Sequence, residues 1–329
     1  MLLLALLFFF IINISLGSVH IPLKAVLLSL LGDEDGKQSW IYIVQNYRLP
    51  KAITAILVGS GLSVSGLLMQ TLFKNPLAGP FVLGISSGAS LGVAILILGT
   101  SFFGLSAIAI SNIGVAIASS LGAFLVLLAV MIVAQKVRNT MSILIIGLMF
   151  GSLTSAVISV LAYFSSAEQL QQYLFWSFGN LGNLSWSELA LFFSMYCIGM
   201  VAVIWIIKPL NLLLLGDHYA KSLGVHIKKT RNIILLITAL LTGVITAFSG
   251  PIAFVGLAVP HLAKLIFNSA NHKILLPASA IIGAIVMLVS DTIAQLPNSE
   301  FTLPINAITS LFGAPIVIWL LVRKTKVIL

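Results

Sequence analysis

The chain has 329 residues, 60% of them hydrophobic and only 8% charged, with 17 Lys and Arg against 8 Asp and Glu and a formal charge of +9; its mean hydropathy is +1.16. A water-soluble globular protein has nowhere to hide that much apolar surface, so this class is excluded. Basic residues beside apolar runs report orientation in a membrane, and no nucleic-acid partner is expected.

Crossing the hydrocarbon core takes roughly 20 apolar residues in a helix. Runs of about that length, punctuated by charge, Gly and Pro, lie near residues 2–17, 52–73, 80–98, 107–134 and 141–163. Five more lie near 189–207, 232–249, 252–267, 274–296 and 303–322. The first run lacks a basic leader and a small-x-small cleavage site, and so reads as a span and not a signal peptide. The run at 252–267 is the shortest and carries Pro260, His261 and Lys264. These runs predict an all-α polytopic membrane protein of about ten helices, a single transmembrane domain over residues 1–329 with no soluble domain.

Ten crossings put both termini on one side, and charge decides which. That side receives Lys74, Lys136, Arg138, Lys208, Lys221, Lys228, Lys229, Arg231, Lys264, Lys273, Arg323, Lys324 and Lys326. The other receives Lys24, Lys37, Arg48 and Lys51, with the acids Asp33, Glu34, Asp35, Glu168, Glu188 and Glu300. By the positive-inside rule both termini are cytoplasmic. External segments then cover about 18–51 and 164–188, the second with the pattern of a short surface helix. A basic cytoplasmic segment covers about 208–231, with Gly216 to Val225 reading as a short helix bounded by glycines.

The stretch Asn75-Pro-Leu-Ala-Gly-Pro-Phe-Val-Leu-Gly84 is echoed by Gly250-Pro-Ile-Ala-Phe-Val-Gly-Leu257, five spans later. An odd offset inverts one half relative to the other, giving a weak inverted five-span repeat of the kind transporters use. Small residues recur at i, i+4 in Gly84, Gly88 and Gly92 and in Gly147, Gly151, Ser155 and Ser159. Such rows let helices approach closely, and the second row either packs inside the subunit or faces a pathway or partner.

Asp291 is the one carboxylate within a proposed span, but about 1.5 Å of rise per residue places it near the external surface, where a cap or local hydrogen-bond partner is the expected role. His261 is expected to lie towards the inner end of its span, reaching the headgroups. The histidines show no metal-ligand spacing, so no metal site is expected, and Cys197, alone in an apolar run, reads as a small hydrophobe. No phosphate-binding Gly-rich loop with its Lys is present, so ATP hydrolysis would fall to another chain.

At Arg48-Leu-Pro-Lys51, Gly66 to Gly84, Trp176-Ser-Phe-Gly179, Leu215 to Val225, Ser249 to Leu257, Val259-Pro-His261 and Leu311-Phe-Gly-Ala-Pro315, the sequence resembles the permease subunits of type II ABC importers for iron siderophores, haem and cobalamin. The likeness runs through nearly the whole chain in family order. It implies a homodimer, or a heterodimer of related permeases, in the bacterial inner membrane. Two ATP-binding subunits, which hold ATP and Mg, would sit inside, with a substrate-binding protein outside and no cofactor in this chain. It further implies that Gly216, Asp217, Ala220, Leu223, Gly224 and Val225 form a coupling helix that seats on the ATPase. Arg48 and Lys51 would meet carboxylates of the binding protein. Thr140, Met141 and Ser142 would lie near an inner gate, and Gly147, Gly151, Ser155 and Ser159 along the pathway. Where the family often has Arg, this chain has Lys264 and Gln295.

These readings make the chain a non-enzymatic permease for an iron chelate, with ferric siderophore placed first on family frequencies and haem or cobalamin next. An ion-coupled secondary transporter is the alternative, opposed by the lack of paired intramembrane charges. An intramembrane enzyme would need a nucleophile and base within reach, and the topology sets His261 and Asp291 near opposite faces.

Overall fold

The computed structural model describes residues 1–32, 37–99, 111–137, 140–182, 184–296 and 301–322. Among them every regular element is helical. In chain order these are α1 (Leu2–Ser15), α2 (Leu23–Leu30), α3 (Gln38–Ile43), α4 (Leu49–Phe73) and α5 (Ile85–Ile97). Next come α6 (Asn112–Gln135), α7 (Thr140–Tyr163), α8 (Ala167–Ser177), α9 (Trp186–Trp205) and α10 (Ile207–Leu213). The last are α11 (Asp217–Ser222), α12 (Ile227–Ser249), α13 (Val255–Phe267), α14 (His272–Ala294) and α15 (Ile305–Val322). A helix therefore stands at each of the ten apolar runs. The charges Asp33, Glu34, Asp35, Arg138, Glu300, Arg323, Lys324 and Lys326 lie outside the described residues.

Six stretches, Gln38–Phe73 (α3 through α4), α6, α7, α9, α12 and α14, are long and apolar enough to cross a bilayer. The other four are shorter. Thirteen residues in each of α5 and α13 rise only about 20 Å, against a hydrocarbon core of roughly 30 Å. The chain at 74–84, which holds one short 3-10 turn at Pro80–Leu83, and the irregular chain at 250–254 make up the difference, as the Gly and Pro there dictate. Backbone exposed at that depth needs partners, and side chains supply them. Gln70 Nε2 donates to Leu257 O, His261 Nε2 donates to Pro76 O, and Ala253 N donates to Asn306 Oδ1, each at 3.0 Å.

α4 is the central helix, buried over nearly its whole length. Its Gly59 meets Gly283 of α14 and its Gly66 meets Gly256 of α13 so closely that a methyl group on either α4 glycine would overlap the opposite backbone. Within lipid there is no hydrophobic force between helices, so such close approach is what holds them. Since Gly256 opens α13 yet lies beside the middle of α4, α13 starts inside the bilayer. α5 does likewise, because Gly84 at its start lies against Gly147 and Gly151, well inside α7.

The inverted repeat is visible in what packs on what. α4 lies against α13 and α14, and its counterpart α12 lies against α5 and α6. The pairs α5–α6 and α13–α14 correspond, as do the contacts of α7 with the turn before α5 and of α15 with α13. Both half-helices start from a residue with positive φ, Gly84 at 71° and Phe254 at 65°.

Candidate functional site

Three places carry the residues singled out from sequence: the basic loop, the opposite end of the bundle and the open face of α7. In the basic loop, α11 is held between Gly216 at φ 100° and Gly224 at φ 88°, backbone states that suit glycine. Ala220 is buried, which turns that side of the helix to the bundle, and Val225 N donates to Ala220 O at 3.0 Å, which caps the end of the helix. Tyr219 and Leu223 point away, 71% and 58% exposed. Asp217 at its start bonds Lys74 at the end of α4, at 2.8 Å. A short rigid helix that shows apolar side chains on a polar face is suited to a protein partner, and the ion pair links it to the central helix.

At the opposite end, the charges expected to face a partner are spent inside the subunit. Arg48 is buried; its guanidinium donates to the carbonyls of Ile14 and Ser15, at 2.9 and 2.8 Å, and of Val19. These carbonyls belong to the last turn of α1 and the chain just beyond it, so Arg48 caps α1 from the turn that leads into α4. Gly17 lies close enough that a side chain there would strike the guanidinium. Lys51, one turn on, pairs with Asp291 at 3.1 Å. Asp291 also accepts from Asn13 Nδ2 at 3.0 Å and from Gln295 Nε2 at 2.7 Å. The role as a local hydrogen-bond partner expected for Asp291 is thus met by an ion pair joining α1, α4 and α14. A cavity of about 830 Å³ opens beside it, lined by Arg48, Lys51, Asp291, Gln295, Asn180 and Phe178 among others.

The small-residue row of α7 divides. Gly147 is buried against the backbone of Val82 and Leu83, and Gly151 meets Ser87 of α5, so both serve packing within the subunit. Ser155 and Ser159 are exposed, as are Met141, Ile145, Leu148 and Ser152 on the same helix, while Ser142 is half-buried. The side chain of Thr140 lies outside the described residues.

His261, expected near the headgroups, turns inward to its bond with Pro76 and is buried. Two partners escaped the sequence reading. Asn13 is a polar residue in an otherwise apolar run, which is itself the signal that something inside the bundle meets it. His272 is buried where α14 begins, with Nδ1 2.8 Å from Asn211 Oδ1 and Nε2 2.8 Å from Thr71 Oγ1; it ties α14 to α10 and α4. Among the described residues no three of His, Cys, Asp and Glu gather as metal ligands.

The FecCD transport family matches residues 4–323. The vitamin B12 import system permease protein BtuC of Salmonella typhi is 35% identical, over 92% of this chain and 93% of its own. The hemin transport system permease protein HmuU of Yersinia pestis is 34% identical, over 99% and 96%. Among solved structures, a metal-chelate type ABC transporter in an inward-facing conformation superposes with a TM-score of 0.85 at 30% identity, over 98% of both chains. PsaBC of Streptococcus pneumoniae shares the fold at 16% identity, with a TM-score of 0.59 over 89% of this chain and 94% of its own.

Proposed function

The chain belongs to the FecCD transport family, and from that membership we propose that it is the permease subunit through which a binding-protein-dependent ABC importer passes a metal chelate. Two copies enclose the pathway, with the open faces of α7 between them. Separate subunits bind and hydrolyse ATP on the basic, cytoplasmic side, and a binding protein delivers the cargo from outside. The protein spans the bacterial inner membrane with both termini inside and breaks no bond itself. Cargo is drawn from ferric siderophores, haem and cobalamin, the last two being what the relatives compared above are named for.

The observation that carries this reading is α11: glycine-bounded, apolar on its outer face and tied through Asp217 to Lys74 of the buried helix α4. A partner that grips α11 acts on the centre of the bundle through one ion pair. Docking outside through Arg48 and Lys51 requires their internal bonds to open, so arrival of the binding protein would loosen the end of α1. No observation favours an ion-coupled carrier, since Asp291 is already neutralised by Lys51. The test is uptake of cyanocobalamin, hemin or a ferric siderophore into proteoliposomes holding the permease, its ATPase and its binding protein. Uptake that needs ATP and the binding protein supports the reading, and uptake that persists without both refutes it.

A further inference from the structure

On the basic side, a cavity of about 100 Å³ lies between the end of α4, the end of α13 and the start of α14, lined by Gln70, Thr71, Lys74, Lys264 and His272 with apolar Leu214 and Leu275. We propose that it binds a phosphate group, either the headgroup of an anionic membrane lipid or free inorganic phosphate. The site is separate from the transport pathway proposed above and does not depend on it.

Charge is the first argument. Lys74 is matched by Asp217, but Lys264 has no carboxylate within ion-pair distance among the described residues, and no Asp or Glu lines the cavity. Both ring nitrogens of His272 are committed, to Asn211 and to Thr71. A half-buried ammonium against leucines is costly to leave uncompensated. An anion supplied from outside the chain removes that cost.

Gln70 is the second and independent argument. It is buried, its Nε2 donates to Leu257 O, and its Oε1 accepts from nothing. A buried acceptor without a donor calls for one, and beside two lysines the fitting ligand offers anionic oxygens together with an O–H. Monoprotonated phosphate has both, and so does phosphatidylglycerol through its glycerol hydroxyls. At about 30 Å³ per water in the liquid, the space suits a small tetrahedral group and excludes anything of cargo size. Because the anion would draw on the ammonium of Lys74, its occupancy also reaches the bond that holds α11.

The test uses the purified full-length permease with its ATPase partner. Thermal unfolding is followed against inorganic phosphate with chloride at equal ionic strength as reference, and native mass spectrometry compares retention of phosphatidylglycerol and phosphatidylcholine. Wild-type protein should be stabilised by phosphate, or retain phosphatidylglycerol selectively; the first result identifies the free anion, the second the lipid. Lys264→Gln should weaken whichever effect is seen about tenfold or more, as loss of a charge-assisted hydrogen bond does. Lys264→Arg should keep it, and so should Lys273→Gln at an exposed neighbouring lysine. No effect of either ligand on wild-type protein would overturn the proposal, as would undiminished binding by Lys264→Gln or an equal loss in Lys273→Gln.

Discussion

Although Lys51 and Asp291 form one ion pair, removing them one at a time should have unequal effects. Their side chains are 22% and 3% exposed, 3.1 Å apart. In Lys51→Met the carboxylate, with little of its surface open to the cavity, is left with only the neutral donors of Asn13 and Gln295. An orphaned buried charge of this kind costs about 3–5 kcal/mol. In Asp291→Leu the ammonium can swing into the cavity beside it, as long cationic side chains do. Asn13 meanwhile keeps Leu288 O at 3.2 Å and Thr292 Oγ1 at 3.0 Å as acceptors. The loss should then be smaller, about 1.5–3 kcal/mol, the worth of a charge-assisted hydrogen bond. Combining both changes should resemble Asp291→Leu alone, because no unpaired charge is left in the interior. Unfolding in detergent followed by tryptophan fluorescence gives the three values. If Asp291→Leu proves as damaging as Lys51→Met, or if the two losses simply add, burial of the carboxylate is not what governs this site.

Three further outcomes follow from the same geometry. Gly66→Leu should prevent α4 from meeting α13, and no monodisperse, protease-resistant subunit should be recovered on gel filtration. Lys74→Glu and Asp217→Lys should each lower transport-coupled ATPase activity with a change in stability of about 1 kcal/mol or less, the pair being exposed. The double reversal should restore that activity, and failure to do so would show that the ion pair transmits nothing. At Gly216 (φ 100°, ψ 155°) an alanine should cost about 1–3 kcal/mol of local backbone strain; with open space around the residue, it should reduce ATPase coupling while membrane insertion, read by protease accessibility, is unchanged.

Most of the membrane architecture was legible because the bilayer enforces long uncharged runs, and each predicted run holds a helix. Directions of side chains were less legible. Arg48 and Lys51 are visible as charges in a polar connection, but the sequence does not say that α1 ends beside them with carbonyls to satisfy. The α7 row divides for a geometric reason. Four residues advance about 400° around a helix, so each step drifts by about 40°, and Gly147 to Ser159 spread over roughly a third of the circumference. Its first members therefore face α5 while its last are exposed.

The inverted repeat shows most clearly why structure here outruns sequence. In the first half Gly84 starts the half-helix at φ 71°, and Gly147 of α7 receives the turn before it, with Val82 O and the Leu83 backbone against the place a methyl group would occupy. In the second half Phe254 also takes a positive φ, at 65°, a state costly for a side-chain-bearing residue. Gly313 of α15 provides the room, since a methyl there would strike Phe254 Cβ and crowd its Cγ at 3.1 Å. Each half thus needs a residue with positive φ and a gap in the facing helix. The first fills both needs with glycine, and the second keeps glycine only on the facing helix. A comparison of residue identities scores that as a weak echo, while the backbone and the packing of the two half-helices repeat.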